Sequence, residues 1–211
     1  MNLPHDFEDA LAKAGAFVRP LEDHVGYRAA RPPWHCPAGI LLNGRGARTS
    51  IGRFDGREPL PTLYLSASPT AVVAETRYAH GHGGRLVVHG SNNPRHEVVP
   101  LCIVPVRVRL QRVLRLEEAL GVLPITMAEV TDPYHARKAA SGARVPVHEL
   151  ARAARKNGIQ GVLYPSRYEP GSDNLAVFVE NAPRGSLRAL YGATPCPCPW
   201  RRLVFWFARR R

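Results

Sequence analysis

The chain is 211 residues long with 45% hydrophobic residues, enough for one domain with a sizeable core and too short for two large ones. Its 29 basic and 17 acidic residues leave a formal charge of +12, but seven arginines and no acid follow Glu180, so the body of the chain is only mildly basic. The longest apolar runs, Leu101 to Val106 and Leu203 to Ala208, fall far below the ~20 residues of a spanning helix, which excludes a helical membrane protein. The acidic stretch Met1 to Asp9 lacks the charged-then-apolar order of a secretory signal. Four scattered cysteines, Cys36, Cys102, Cys196 and Cys198, do not make a disulfide framework. A cytoplasmic protein is expected.

Asp6 to Val18 sets Phe7, Leu11, Ala14 and Val18 at helical spacing, predicting a short amphipathic helix stopped by Pro20. Val25 to Ala30 reads as a first strand, and Arg31 to Ser50 as a long loop broken by Pro and Gly, of a length that points to function. Pro61 to Ala67 alternates like a half-buried strand. Ser68-Pro69 then supplies an N-cap and a first-turn proline for a helix through Tyr78. Gly81 to Pro94 is a Gly-, His- and Asn-rich loop. Glu97 to Leu116 is β-branched with arginines at 107, 109 and 115, and predicts one or two strands. Residues 117–145 suggest two short helices, and Val147 to Asn157 a longer one ended by Gly158. Gly161 to Tyr164 and Asn174 to Glu180 close the series as strands, joined by the loop 165–173.

This order is strand-rich without regular strand-helix alternation, which favours an α+β single domain with mixed, mainly antiparallel β-sheet and flanking helices. The expected organisation is an N-terminal helical segment over 1–20, a domain over 21–181 and a basic Arg/Pro-rich tail over 182–211. In that tail Pro195-Cys-Pro-Cys-Pro199 blocks regular structure.

Four polar residues sit at the ends of predicted elements, where rigid backbone presents side chains to a cleft. Arg28 interrupts an apolar strand and is either an edge charge or aimed at an anion. Arg53 carries a planar donor fork suited to carboxylate or phosphate oxygens. Glu75 falls beside the apolar stripe of Ala71, Val72 and Ala74, so it must be paired or held in a polar cleft. A salt bridge with Arg28, Arg53 or Arg77 is one account of it and a catalytic carboxylate the other. Ser166 lacks the Gly-x-Ser-x-Gly elbow of hydrolases and reads as a hydrogen-bond donor. His80-Gly-His and Cys196-x-Cys198 lack a second ligand pair, so no metal is expected. No dinucleotide or phosphate-binding Gly loop is present.

The order of these residues resembles the RES domain family, named for an Arg, a Glu and a Ser, whose members are mostly bacterial toxins paired with an antitoxin. The matching segments are Tyr27-Arg28-Ala29, Gly52-Arg53-Phe54, Thr62-Leu-Tyr64-Leu-Ser66, Ala71-Val-Val-Ala-Glu75 and Gly161-Val-Leu-Tyr-Pro-Ser166, with eleven positions from Tyr64 to Glu75. Phe54 stands where the family commonly has Trp, and Arg57 in the same irregular loop is an alternative to Arg53. The resemblance implies an ADP-ribosyltransferase-like fold and an enzyme that consumes NAD as substrate, without a metal, by breaking its nicotinamide N-glycosidic bond. It implies Glu75, Arg53 and Tyr64 as catalytic and Arg28, Tyr27 and Ser166 as NAD-binding. A carboxylate suits the oxocarbenium-like transition state at the ribose carbon. An aromatic face suits nicotinamide or ribose, and guanidinium groups suit phosphates. The implied partner is an antitoxin protein covering the cleft. Two other readings share the residues: an ADP-ribosyltransferase acting on protein, and a nucleic-acid-binding protein using Arg107, Arg109, Arg112, Arg115 and the tail, whose binding would weaken steeply with salt.

Overall fold

The computed structural model of the chain describes residues 4–30, 38–44, 52–55, 60–80, 102–132 and 134–190. Helix α1 (Pro4–Lys13) continues as a 3-10 turn, Ala14–Phe17, and buries Phe7, Leu11 and Ala14 along one face, the helical spacing read from the sequence. Its end differs from expectation. Val18 already belongs to strand β1 (Val18–Ala30), so Pro20 lies inside a strand and not past a helix. It is tolerated there because the pairing of β1 shifts register between Arg19 and Leu21, leaving Pro20 no ladder bond to make.

A short helix α2 (Ala38–Leu41) sits within the segment expected to be loop, most of which lies outside the described residues. Strand β2 (Thr62–Ser66) and helix α3 (Pro69–His80) follow as the sequence indicates. The loop expected over 81–94 and Arg57 also lie outside the described residues. Strand β3 (Cys102–Arg115) is one long strand. Three short helices occupy the region expected to hold two: α4 (Leu116–Ala119), α5 (Met127–Val130) and α6 (His135–Ala140).

Helix α7 (Pro146–Lys156) has Pro at its start and buries Val147, Leu150, Ala151 and Ala154. It stops where Gly158 takes φ +68°, with Gly158 N–H donating to Arg155 O at 3.0 Å and Ile159 N–H to Ala154 O at 3.0 Å. These are the two reversed bonds of a Schellman cap. Gly158→Ala is therefore expected to lower stability by about 1 kcal/mol, measurable by denaturant unfolding.

Strands β4 (Gly161–Pro165), β5 (Asp173–Phe178) and β6 (Leu187–Ala189) complete a six-stranded sheet in the order β1-β2-β5-β4-β3-β6. Only β3 and β4 run parallel, so the sheet is mixed and mainly antiparallel, and the α+β expectation holds. Strand β3 also pairs along its length with β1, so five strands close a ring of pairings and β6 is appended to β3. Residues 187–189, assigned to the tail from sequence, thus join the sheet. One core, with Leu63, Leu65, Val106, Leu110, Leu175 and Val177, is drawn mainly from the strands. The other packs α1, α4 and α7 onto Val162, Ala176 and Phe178. Residues alternate between the two cores along β2, β4 and β5, so β2 is covered on both faces where its sequence suggested a half-buried strand.

Candidate functional site

Strand register lines up four side chains on one face of the sheet. Tyr27 of β1 stands opposite Ser66 of β2, Ser66 opposite Asn174 of β5, and Asn174 opposite Tyr164 of β4. Cross-strand partners share a face, and Tyr64, two residues before Ser66, lies on it as well. Onto this row α3 delivers Glu75. Its Oε1 accepts hydrogen bonds from Ser166 Oγ at 2.7 Å and Asn174 Nδ2 at 2.6 Å. Among the described residues Glu75 makes no ion pair, and its Oε2 accepts no hydrogen bond. Of the salt-bridge partners suggested by the sequence, neither Arg28 nor Arg53 pairs with Glu75, and the Arg77 side chain lies outside the described residues; two neutral donors fix the carboxylate.

Both donors are themselves held. Ser166 Oγ accepts from Tyr168 N–H and Glu169 N–H, each at 3.2 Å, so its single proton is committed to Glu75. At the start of α3, Ser68 Oγ accepts from Ala71 N–H at 2.9 Å, the cap that the sequence signals. The Glu169 carboxylate then ties the Ser166 loop to this helix start, taking Ser68 Oγ at 3.0 Å and Thr70 Oγ1 at 2.7 Å. Helix and loop therefore carry Glu75 and Ser166 as one unit.

The turn Gly52 to Asp55 brings the second element of the site. Tyr64 Oη donates to Asp55 Oδ1 at 3.0 Å and accepts from Phe54 N–H at 2.8 Å, while Gly52 N–H donates to Asp55 Oδ2 at 2.8 Å. Arg53 leaves the turn, donates to Val130 O, and holds its guanidinium carbon 5.7 Å from the Tyr164 ring centroid. Phe54 is fully buried, its ring 4.9 Å from that of Tyr164. A Cβ on Gly52 would fall 2.6 Å from Tyr64 Oη and closer still to the Asp55 carboxylate. Gly52→Ala is expected to push the turn off Tyr64 and lower stability by about 1–3 kcal/mol, read in thermal unfolding.

Burial governs the titration of this cluster. It pushes the Asp55 carboxyl up, with hydrogen bonds from Thr62, Tyr64 and Gly52 pulling the other way. Burial also raises both phenols, so Tyr64 and Tyr164 stay neutral; the Arg53 charge opposes this at Tyr164, whereas the carboxylates of Glu75 and Asp55 reinforce it. Arg28 is lowered to about 10, again by burial first, and remains charged at neutral pH. Its Nη1 reaches Tyr64 O at 3.5 Å, and its buried Nε has no hydrogen-bond partner among the described residues. Among the described residues neither Arg28 nor Arg53 forms an ion pair.

The fold thus brings Glu75 and Ser166 into direct contact and sets Tyr27, Tyr64 and Arg53 around the same row, while Arg28, next to Tyr27 on β1 and paired with Val104, reaches only the Tyr64 backbone carbonyl. Three participants were not singled out from sequence. Asn174 is a buried polar residue heading an apolar strand, Asp55 directly follows Gly52-Arg53-Phe54, and Tyr164 stands two residues before Ser166. A buried polar side chain that must find a partner was the available signal for Asn174. The Cys196-x-Cys198 pair and His82 lie outside the described residues, and among the described residues no cluster of metal-ligating side chains occurs. No described helix is long and apolar enough to cross a membrane.

The chain is similar to a chain in the crystal structure of the M. tuberculosis MbcT-MbcA toxin-antitoxin complex, at 19% identity and a TM-score of 0.63, covering 94% of this chain and 96% of that one. This likeness is one of fold. No curated protein matches the chain. The RES domain model matches residues 25–200, a span that takes in the whole arginine, glutamate and serine row and the sheet that carries it. The chain belongs to the RES domain family.

Proposed function

We propose that this protein is a toxin-like enzyme that depletes NAD by cleaving its nicotinamide N-glycosidic bond. The observation that carries the reading is the Glu75 carboxylate, held at Oε1 by two neutral donors and unneutralised by any described cation. A fixed anion of this kind stabilises positive charge that develops only in the transition state. As the bond from the ribose carbon to the nicotinamide nitrogen breaks, the electron pair leaves with nicotinamide, which departs neutral. Glu75 Oε2 would hold the ribose hydroxyls and face the oxocarbenium charge. The departing group needs no proton, which agrees with the lack of a histidine at the site among the described residues. An acceptor oxygen then bonds the ribose carbon and gives up its proton.

In this reading Arg28 and Arg53, each without an acidic partner among the described residues, take the pyrophosphate oxygens. Tyr64 and Tyr27 offer aromatic faces to nicotinamide or ribose, and Ser166 keeps Glu75 oriented. NAD is the substrate, and no metal takes part. An intracellular NAD pool puts the action in the cytoplasm, and an enzyme of this kind requires neutralisation by a separately encoded antitoxin covering the cleft. The similar M. tuberculosis chain comes from a toxin-antitoxin complex.

The test is nicotinamide release from NAD by the purified protein, with and without inorganic phosphate, alongside labelled NAD and candidate protein acceptors. Release into solution is expected, and a phosphate requirement would identify phosphorolysis. Label found on protein would turn the assignment to ADP-ribosyl transfer. Absence of release and of labelling by folded, antitoxin-free protein would overturn the NAD reading.

A further inference from the structure

Arg53 is flanked by two backbone amides, and both are held from one side. Gly52 N–H donates to Asp55 Oδ2, and Phe54 N–H donates to the Tyr64 hydroxyl, which itself donates to Asp55 Oδ1. Asp55 is 3% exposed and spends both oxygens on these contacts and on the Thr62 side chain. The Tyr64 hydroxyl likewise has its proton and an acceptor position in use, so what Tyr64 offers outward is its ring. The cation beside this turn, among the described residues, is Arg155, whose guanidinium reaches Phe54 O at 3.3 Å and Thr62 Oγ1 at 2.6 Å and whose charge favours the Asp55 carboxylate without a hydrogen bond to it. A buried carboxylate without a charged hydrogen-bond partner is a costly way to close a four-residue turn.

We propose that Asp55 is a positioning residue, which with the Tyr64 hydroxyl grips both amides flanking Arg53 and so sets where the Arg53 guanidinium and the Tyr64 ring stand relative to Glu75. It acts through these two residues and touches no reacting atom. Arg53 and Tyr64, in the NAD reading on which the kinetic part of this inference rests, grip substrate and transition state alike. Loosening them raises KM and leaves kcat nearly unchanged. A purely structural role would do the opposite, lowering the active fraction and hence the apparent kcat at constant KM.

The experiment compares Asp55→Asn, Tyr64→Phe and the double variant with the full-length wild type, by steady-state NAD cleavage and by hydrogen exchange of the Phe54 amide. Expected are an about tenfold rise in KM with kcat within about twofold for each single variant, no further rise in the double variant, and faster exchange at Phe54 in all three. An unchanged KM, or a fall in kcat alone, overturns the proposal, as does undiminished Phe54 protection in Asp55→Asn. Should Asp55→Asn fail to fold, Tyr64→Phe alone removes the same grip on Phe54 and decides the question. Should the wild type prove inert toward NAD, the functional reading falls, while Phe54 exchange still decides whether Asp55 holds the turn.

Discussion

Glu75→Gln is expected to reduce nicotinamide release by about 100- to 10,000-fold, equivalent to about 3–5 kcal/mol of transition-state stabilisation, with little change in the thermal unfolding midpoint. Gln has the same shape, and its amide oxygen can still accept from Ser166 Oγ and Asn174 Nδ2, the two bonds that fix Glu75 in the site. The substitution therefore removes the charge and keeps the geometry, which separates an electrostatic role from a scaffolding one. If the carboxylate only anchored α3 to β5, activity would survive in proportion to folded protein. Steady-state release, with circular dichroism confirming the fold, distinguishes the two.

Arg155→Met is expected to be the most damaging change away from Glu75, lowering stability by about 3 kcal/mol and the unfolding midpoint by about 10 °C. The Arg155 side chain is only 7% exposed and joins three parts of the chain: Glu180 by an ion pair, Phe54 O, and Thr62 Oγ1. Its guanidinium also lies 4.1 Å from the Phe178 ring centroid. Met fills much of the volume but leaves the Thr62 hydroxyl and the Phe54 carbonyl with one partner fewer in a buried setting, and Glu180 without its counter-charge. A midpoint unchanged within ~2 °C would mean that water replaces these contacts at little cost. Because Arg155 backs the turn that bears Arg53, the surviving folded protein should also bind NAD more weakly.

Sequence legibility followed the range of the interactions involved. The α3 start was readable because Ser68 and Ala71 are three residues apart, and the α7 end because Gly158 closes on carbonyls of its own last turn. The arginine, glutamate and serine positions were reached through their order along the chain. The error at Pro20 arose because a proline is a helix stop only if nothing better uses its missing N–H, and a register shift in β1 does. The two-helix expectation over 117–145 fell one short of the three helices there, which at four to six residues are too short for periodicity to count.

By itself the sequence determined most of the element types, both helix caps and the single α+β domain, since each depends on apolar periodicity or on contacts within a few positions. Tertiary structure alone decided what Glu75 is bonded to. Ser166 and Asn174 lie 91 and 99 residues away from it, and the row from Tyr27 to Tyr164 exists only once four strands have paired in one register. A shift of one residue in any of those pairings would turn that strand's members of the row to the opposite face. What holds the register is the burial of Leu63, Leu65, Leu175 and Val177 in one core and Ala176 and Phe178 in the other, a global packing condition that no local pattern encodes.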